Sequence, residues 1–164
     1  MQKFKNRWEI QHNWQLVFPI LGILGLLFAG YLASTTLTNA LPIFVTVLVT
    51  LVFALLFLKI TLFCFKKLEN KWIVTYKWEM IRIFIVFAIT GSSSAMISKP
   101  IMIAIGITKE NLNPIVYWAL YIIIGLVFYQ LLLVFFGWLF GQFQFFWEFE
   151  KKMLQKMGFK RFVN

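Results

Sequence analysis

Residues 42–67 read PIFVTVLVTLVFALLFLKITLFCFKK. Pro42 can open a helix, since its missing N–H falls where no helical partner exists. From there to Phe65 the only charge is Lys59. About 20 apolar residues cross the ~30 Å hydrocarbon core of a bilayer, and this run is long enough. Lys59 lies near the far end, where its stem can reach the interface. The run then stops at Lys66-Lys67. This pattern predicts a transmembrane helix with a basic flank.

Three more runs repeat it. One extends from about Trp14 to Ala33, with Pro19 in its first turns. Its apolar core, roughly Leu16 to Ala33, exceeds the 7–15 residues of a signal peptide, so it reads as a retained span. A third runs from Met80 to Ile97, followed by Ser98-Lys99-Pro100 and a further apolar piece to Ile107. Pro100 either kinks a continuous helix or ends it. The fourth runs from Pro114 to Phe140. The uncharged stretch Ser34–Leu41 and the segment Thr108–Asn113 read as loops between spans. The expected fold is therefore all-α: an integral membrane four-helix bundle.

Composition agrees. Of 164 residues, 61% are hydrophobic and 13% charged, against about 45–50% and 25% in soluble domains. The net charge of +10 would point to nucleic acid in a soluble chain. Here the basic residues stand at the span ends, so no nucleic-acid partner is expected. Lys3, Lys5 and Arg7 form one station; Lys66, Lys67, Lys71, Lys77 and Arg82 a second; Lys151, Lys152, Lys156, Lys160 and Arg161 a third. Two spans separate each station from the next, so all three share one side. Only Lys99 and Lys109 fall on the other. The positive-inside rule makes the basic side, with both termini, cytoplasmic.

Beyond the fourth span, residues 141–154 continue at helical period. Phe146, Phe149, Met153 and Met157 form one stripe beside Lys151 and Lys152, the pattern of an amphipathic helix lying in the membrane interface. Trp8, Trp14, Trp72 and Trp78 are expected at the same interface, where indole rings concentrate. The expected partners are the bilayer and its anionic headgroups, with a membrane-protein partner or a second copy of the chain.

Arg7-Trp8 precedes Trp14 by the same spacing that separates Lys71-Trp72 from Trp78. Residues 1–70 and 71–164 can thus be two tandem two-span hairpins. Equally, tryptophan and lysine recur at any cytoplasmic interface.

The second half carries Phe87-Ala88-Ile89-Thr90-Gly91-Ser92 and Phe140-Gly141-Gln142-Phe143-Gln144-Phe145-Phe146. With the Lys71-Trp72 start, these motifs resemble a family of small two-span bacterial membrane proteins known only as a domain of unknown function, over about residues 71–160. The resemblance implies a bacterial inner-membrane setting. It implies no activity, cofactor or catalytic residue.

Candidate chemistry is sparse. Thr90, Gly91, Ser92, Ser93 and Ser94 form a small, hydroxyl-rich cluster. Gly91 lies roughly 13 Å past Arg82 at ~1.5 Å per residue, near the bilayer midplane. Such residues either let helices approach closely or line a polar site. Tyr129 and Gln130, midway along the fourth span, are the expected partners across that contact. Lys99 sits near the outer interface, too hydrated to serve as the base of a serine–lysine pair with Ser94 or Ser98. His12 stands alone, and the single cysteine, Cys64, allows no internal disulfide and no cysteine-based metal site. Glu148 is expected to pair with Lys152 at i,i+4. No ionisable group is expected at mid-bilayer, where a proton-coupled pump would need one. No catalytic group, metal site or cofactor is expected. These readings favour a non-enzymatic accessory or assembly subunit. The alternative is a small oligomeric transporter or channel built on the Thr90–Ser94 cluster and Gln130.

Overall fold

The computed structural model describes residues 1–38, 42–72, 74–156 and 158. Among the described residues six α-helices follow one another: α1 Gln2–Trp8, α2 Val17–Thr38, α3 Ile43–Leu68, α4 Lys77–Ala104, α5 Pro114–Leu139 and α6 Phe143–Lys156. A short 3₁₀ turn, Asn13–Leu16, leads into α2, and no strand occurs among the described residues. The all-α expectation holds: α2 with its 3₁₀ turn, α3, α4 and α5 are each long and apolar enough to cross a membrane, as in a multi-pass membrane protein. The chain forms two compact units, Met1–Ile85 and Val86–Asn164, whose boundary falls inside α4.

In the first unit, α2 packs along α3 through small and hydroxyl residues a turn apart. A Cβ on Gly30 would lie 2.8 Å from the Thr50 carbonyl oxygen and 3.0 Å from the Ala54 nitrogen. The backbones therefore meet there as only glycine allows. One turn on, the Ser34 and Thr50 hydroxyls are 2.7 Å apart. A further turn on, Thr38 and Thr46 are 2.9 Å apart. This corrects the sequence expectation that Ser34–Thr38 is loop. Ser34, Thr35, Thr36 and Thr38 each donate to a carbonyl three or four residues back, and so stay in the helix. Asn39, Ala40 and Leu41 of the expected loop lie outside the described residues.

The base of this unit is aromatic. Phe65, Met80 and Ile81 form a buried core, against which Trp8, Phe18, Trp72, Phe84 and Ile85 pack. Trp78 is buried at 3% exposure, tilted on Phe18 at 5.4 Å. The Arg82 guanidinium covers it at 4.7 Å and pairs with Glu79 at 3.3 Å. Glu9 reaches the start of α4, where its carboxylate accepts the Lys77 N–H at 3.1 Å; an anion is favoured at a helix N-terminus. Gln15 turns the chain into α2 by accepting the N–H groups of Gln11 and His12.

In the second unit, α4 continues through Pro100 to Ala104. Asn113 caps α5 by accepting the Ile115 N–H at 2.9 Å, with Pro114 in the first turn. At the other end Gly141, in the left-handed region at φ 68°, reverses the chain. The Gln142 N–H closes the turn on the Gly137 carbonyl at 2.7 Å, as in the common glycine termination of helices. Helix α6 then lies back against α5.

The candidate functional site

Helix α4 is apolar on most sides, so its sequence does not reveal which stripe is buried. The structure shows it to be Val86, Thr90, Ser94, Ser98 and Met102, spaced four apart, all between 0 and 7% exposed. Thr90 and Ser94 of the hydroxyl cluster belong to this stripe, together with Ser98. Ser92 is exposed and donates to the Ala88 carbonyl, while Ser93 is half-buried. A Cβ on Gly91 would meet nothing within 4 Å. Of the two roles the sequence leaves open for this cluster, close helix approach is therefore not the one Gly91 plays. The glycine that admits α4 is Gly125 of α5, where a Cβ would lie 3.0 Å from Ser98 Oγ. Tyr121, one turn away, donates to the Ala95 carbonyl at 3.0 Å.

Most of these hydroxyls are satisfied within their own helix. Ser94 donates to the Gly91 carbonyl and Ser98 to the Ser94 carbonyl. Thr90 Oγ1 is buried with no hydrogen-bond partner among the described residues. Lys99 is exposed. Among the described residues no three of His, Cys, Asp and Glu come close enough to hold a metal ion.

Tyr129 and Gln130 are both half-buried. Tyr129 lies within electrostatic range of Glu150 on α6, a residue with no distinguishing signal in the sequence. Glu150 is 5% exposed, and neither carboxylate oxygen has a hydrogen-bond partner among the described residues. Burial pushes its carboxyl above the usual range. Its neighbour Glu148 takes the ion pair, with Lys151 at 3.3 Å rather than with Lys152. A carboxyl whose folded pKa is raised favours the fold when protonated. Stability should therefore fall as pH rises from the unfolded value, near 4.5, through the higher folded value. Glu150→Gln is expected to raise the unfolding temperature at pH 8 and leave it unchanged at pH 4. Thermal scans at both pH values check this.

The expected interfacial stripe is also relocated. Phe146 is fully buried, pressed on Gly137, where a Cβ would come within 2.6 Å of its ring. Phe87 of α4 packs edge-on against Phe146 at 5.2 Å and against Phe149 at 5.3 Å. Phe146 thus belongs to the interior of the unit rather than to lipid. The exposed apolar face of α6 is Phe143 and Trp147, each 44% exposed and stacked at 5.8 Å. The Lys151 ammonium stands 5.8 Å from the Trp147 ring centre; Lys152 is exposed. Met157, Lys160 and Arg161 lie outside the described residues. Of the four tryptophans expected at the interface, Trp14 is 56% exposed, Trp8 and Trp72 are half-buried, and Trp78 is buried instead, under Phe18 and Arg82.

The two sequence motifs of the second half therefore meet, Phe87 from the first against Phe146 from the second, with Gly141 making the α5–α6 turn that brings Phe146 back. Residues 82–161 match the model of a family of unknown function (DUF6787). The match begins at Arg82, so the Lys71-Trp72 start lies outside it, and the matched segment takes in all of α5 and α6. Within the matched segment, the glycine turn and the aromatic plug are packing features of the fold. No curated protein and no solved structure matches the chain.

Proposed function

We propose that this chain is a non-enzymatic accessory or assembly subunit, a multi-pass protein of the bacterial inner membrane with both termini cytoplasmic. The observation that carries the reading is the outer face of α5. Trp118, Phe135 and Trp138 are 51%, 52% and 64% exposed, and the apolar stretch of that helix is almost wholly unburied. Exposed aromatic surface of that extent suits contact with lipid and with another membrane protein or a second copy of the chain. The hydroxyls of Ser92, Ser94 and Ser98, spent on their own helix, give little to a solvated path. The Phe143–Trp147 face of α6 with Lys151 and Lys152 suits the headgroup layer. Photo-crosslinkers at Phe135 and Trp138 in living cells are expected to give one discrete protein adduct. Adducts with lipid alone would overturn the reading.

The alternative, a small oligomeric transporter or channel using Thr90–Ser94 and Gln130, draws support from the unpartnered Thr90 hydroxyl. It requires that cysteines at Thr90 and Ser94 react with water-soluble thiol reagents; the accessory reading expects both silent.

The orientation rests on the basic stations and has its own test. A cysteine at Asn111 is expected to react with an impermeant reagent outside intact cells, while native Cys64 stays silent. The reverse pattern would turn the protein over.

A further inference from the structure

A groove of about 280 Å³ opens on the first unit. Pro19, Gly22 and Leu26 of α2, Leu58 and Leu62 of α3, and Ile81 and Phe84 of α4 form its apolar walls. It runs from Phe65 back to Leu58, about 10 Å at ~1.5 Å per residue. That is most of one leaflet's share of a ~30 Å hydrocarbon core. A second cavity, of about 400 Å³, adjoins it and shares Arg7, Trp8, Leu62 and Phe65. This one is charged, lined also by Lys66, Lys77 and Glu69.

The charges there are unequally used. Lys77 pairs with Glu69 at 2.8 Å, and Glu9 is engaged at the start of α4. Arg7 and Lys66 have no ion pair among the described residues. Two uncompensated cations therefore stand at the mouth of a slot lined by aliphatic and aromatic carbon.

We infer that this composite groove is a binding site for an anionic glycerophospholipid, with an acyl chain along Leu26, Leu58 and Leu62 and the phosphate at Arg7 and Lys66. Complementarity decides the occupant. A zwitterionic lipid brings its own cation to a mouth that is already positive. A soluble phosphate leaves the apolar slot unfilled. A protein helix is wider, at about 10 Å with side chains, than a slot of this volume accepts. The site depends on reading α2, α3 and α4 as membrane spans, but not on their orientation or on the accessory role.

The test uses the full chain in neutral detergent, with phosphatidylglycerol and phosphatidylcholine of identical acyl chains as probes and native mass spectrometry as readout. Phosphatidylglycerol is expected to be retained about thirtyfold more tightly, in line with two added basic contacts at about 1 kcal/mol each. Arg7→Gln with Lys66→Gln should reduce it to the phosphatidylcholine level, whereas Lys3→Gln with Lys67→Gln, an equal loss of charge elsewhere, should not. Arg7→Lys with Lys66→Arg should keep the preference, which separates charge from folding. Leu26→Phe should weaken retention of both lipids several-fold. Equal retention of the two lipids by the parent, or an unchanged preference in the Arg7, Lys66 double variant, would overturn the site. So would full displacement of the lipid by inorganic phosphate, which would point to a soluble anion.

Discussion

Gly30→Leu is expected to unfold the first hairpin at temperatures where the parent is intact. The reason is the direct approach of α3 backbone. The space a side chain would need is held by the Thr50 carbonyl at 2.8 Å and the Ala54 nitrogen at 3.0 Å. Backbone atoms cannot swing aside as a side chain can, so the helices must separate. Overpacking costs typically 1–3 kcal/mol and occasionally more, and here the upper end applies. Separation would also pull apart Ser34 from Thr50 and Thr38 from Thr46. Gly25→Leu in the same helix is the control, since nothing lies within 4 Å of its Cβ position. It should change stability by no more than about 0.5 kcal/mol, as surface substitutions do. Thermal unfolding in detergent measures both. Equal stability of the two variants would mean that α2 and α3 do not meet at Gly30.

Gly137→Ala should be nearly as damaging in the second unit. The new methyl would lie 2.6–2.9 Å from three atoms of Phe146, whose ring is fully buried and hemmed in by Phe87. The ring has no free volume to retreat into, so α6 should lift from α5, at a cost of about 1–3 kcal/mol. Phe146→Leu should also destabilise, through the cavity it leaves. The pair together should cost less than the sum of the two, because the smaller side chain makes room for the methyl. Such coupling is expected of residues in contact, at roughly 0.5–3 kcal/mol. Strict additivity would show that Gly137 and Phe146 do not touch. Protease sensitivity of the Phe140–Phe143 turn gives an independent readout of α6 lifting.

The spans were legible because their signal is bulk hydropathy bounded by charge, which lipid reads directly. Their ends were less so. Ser34–Thr38 has the composition of a turn, yet each hydroxyl that bonds back to its own helix removes the need for water. Pro100 likewise stays inside α4. Facing was the least legible property. In a helix surrounded by apolar residues no period marks the buried side, which is why Gly91 looked like the contact and Gly125 makes it. Phe146 was misplaced for a related reason. An aromatic beside lysines fits lipid and protein equally well, and the decision lies with Gly137, nine positions earlier on another helix. Glu150 was hidden because Lys151 and Lys152 offered it an evident partner in sequence, although the structure turns it inward.

The hydroxyl pairs between α2 and α3 have a proton arithmetic. Ser34 and Thr50 each have a carbonyl of their own helix in reach, at 2.8 Å in both cases, and also each other. Each hydroxyl has one proton, so two protons serve three bonds and one of the three is empty at any instant. Each helix can therefore enter lipid already satisfied, and pairing merely exchanges one acceptor for another. Gains of this kind are small, on the order of 0.6 kcal/mol per contact in membranes. Their effect is to set alignment more than strength. Gly30 against Ala54, Ser34 against Thr50 and Thr38 against Thr46 fit in only one sliding position of the two helices. A slip of one turn would drive the Thr50 side chain at Gly30 and leave Thr38 past the end of its partners. The hairpin thus selects its register after insertion, by shape and proton sharing, without any charge in the membrane.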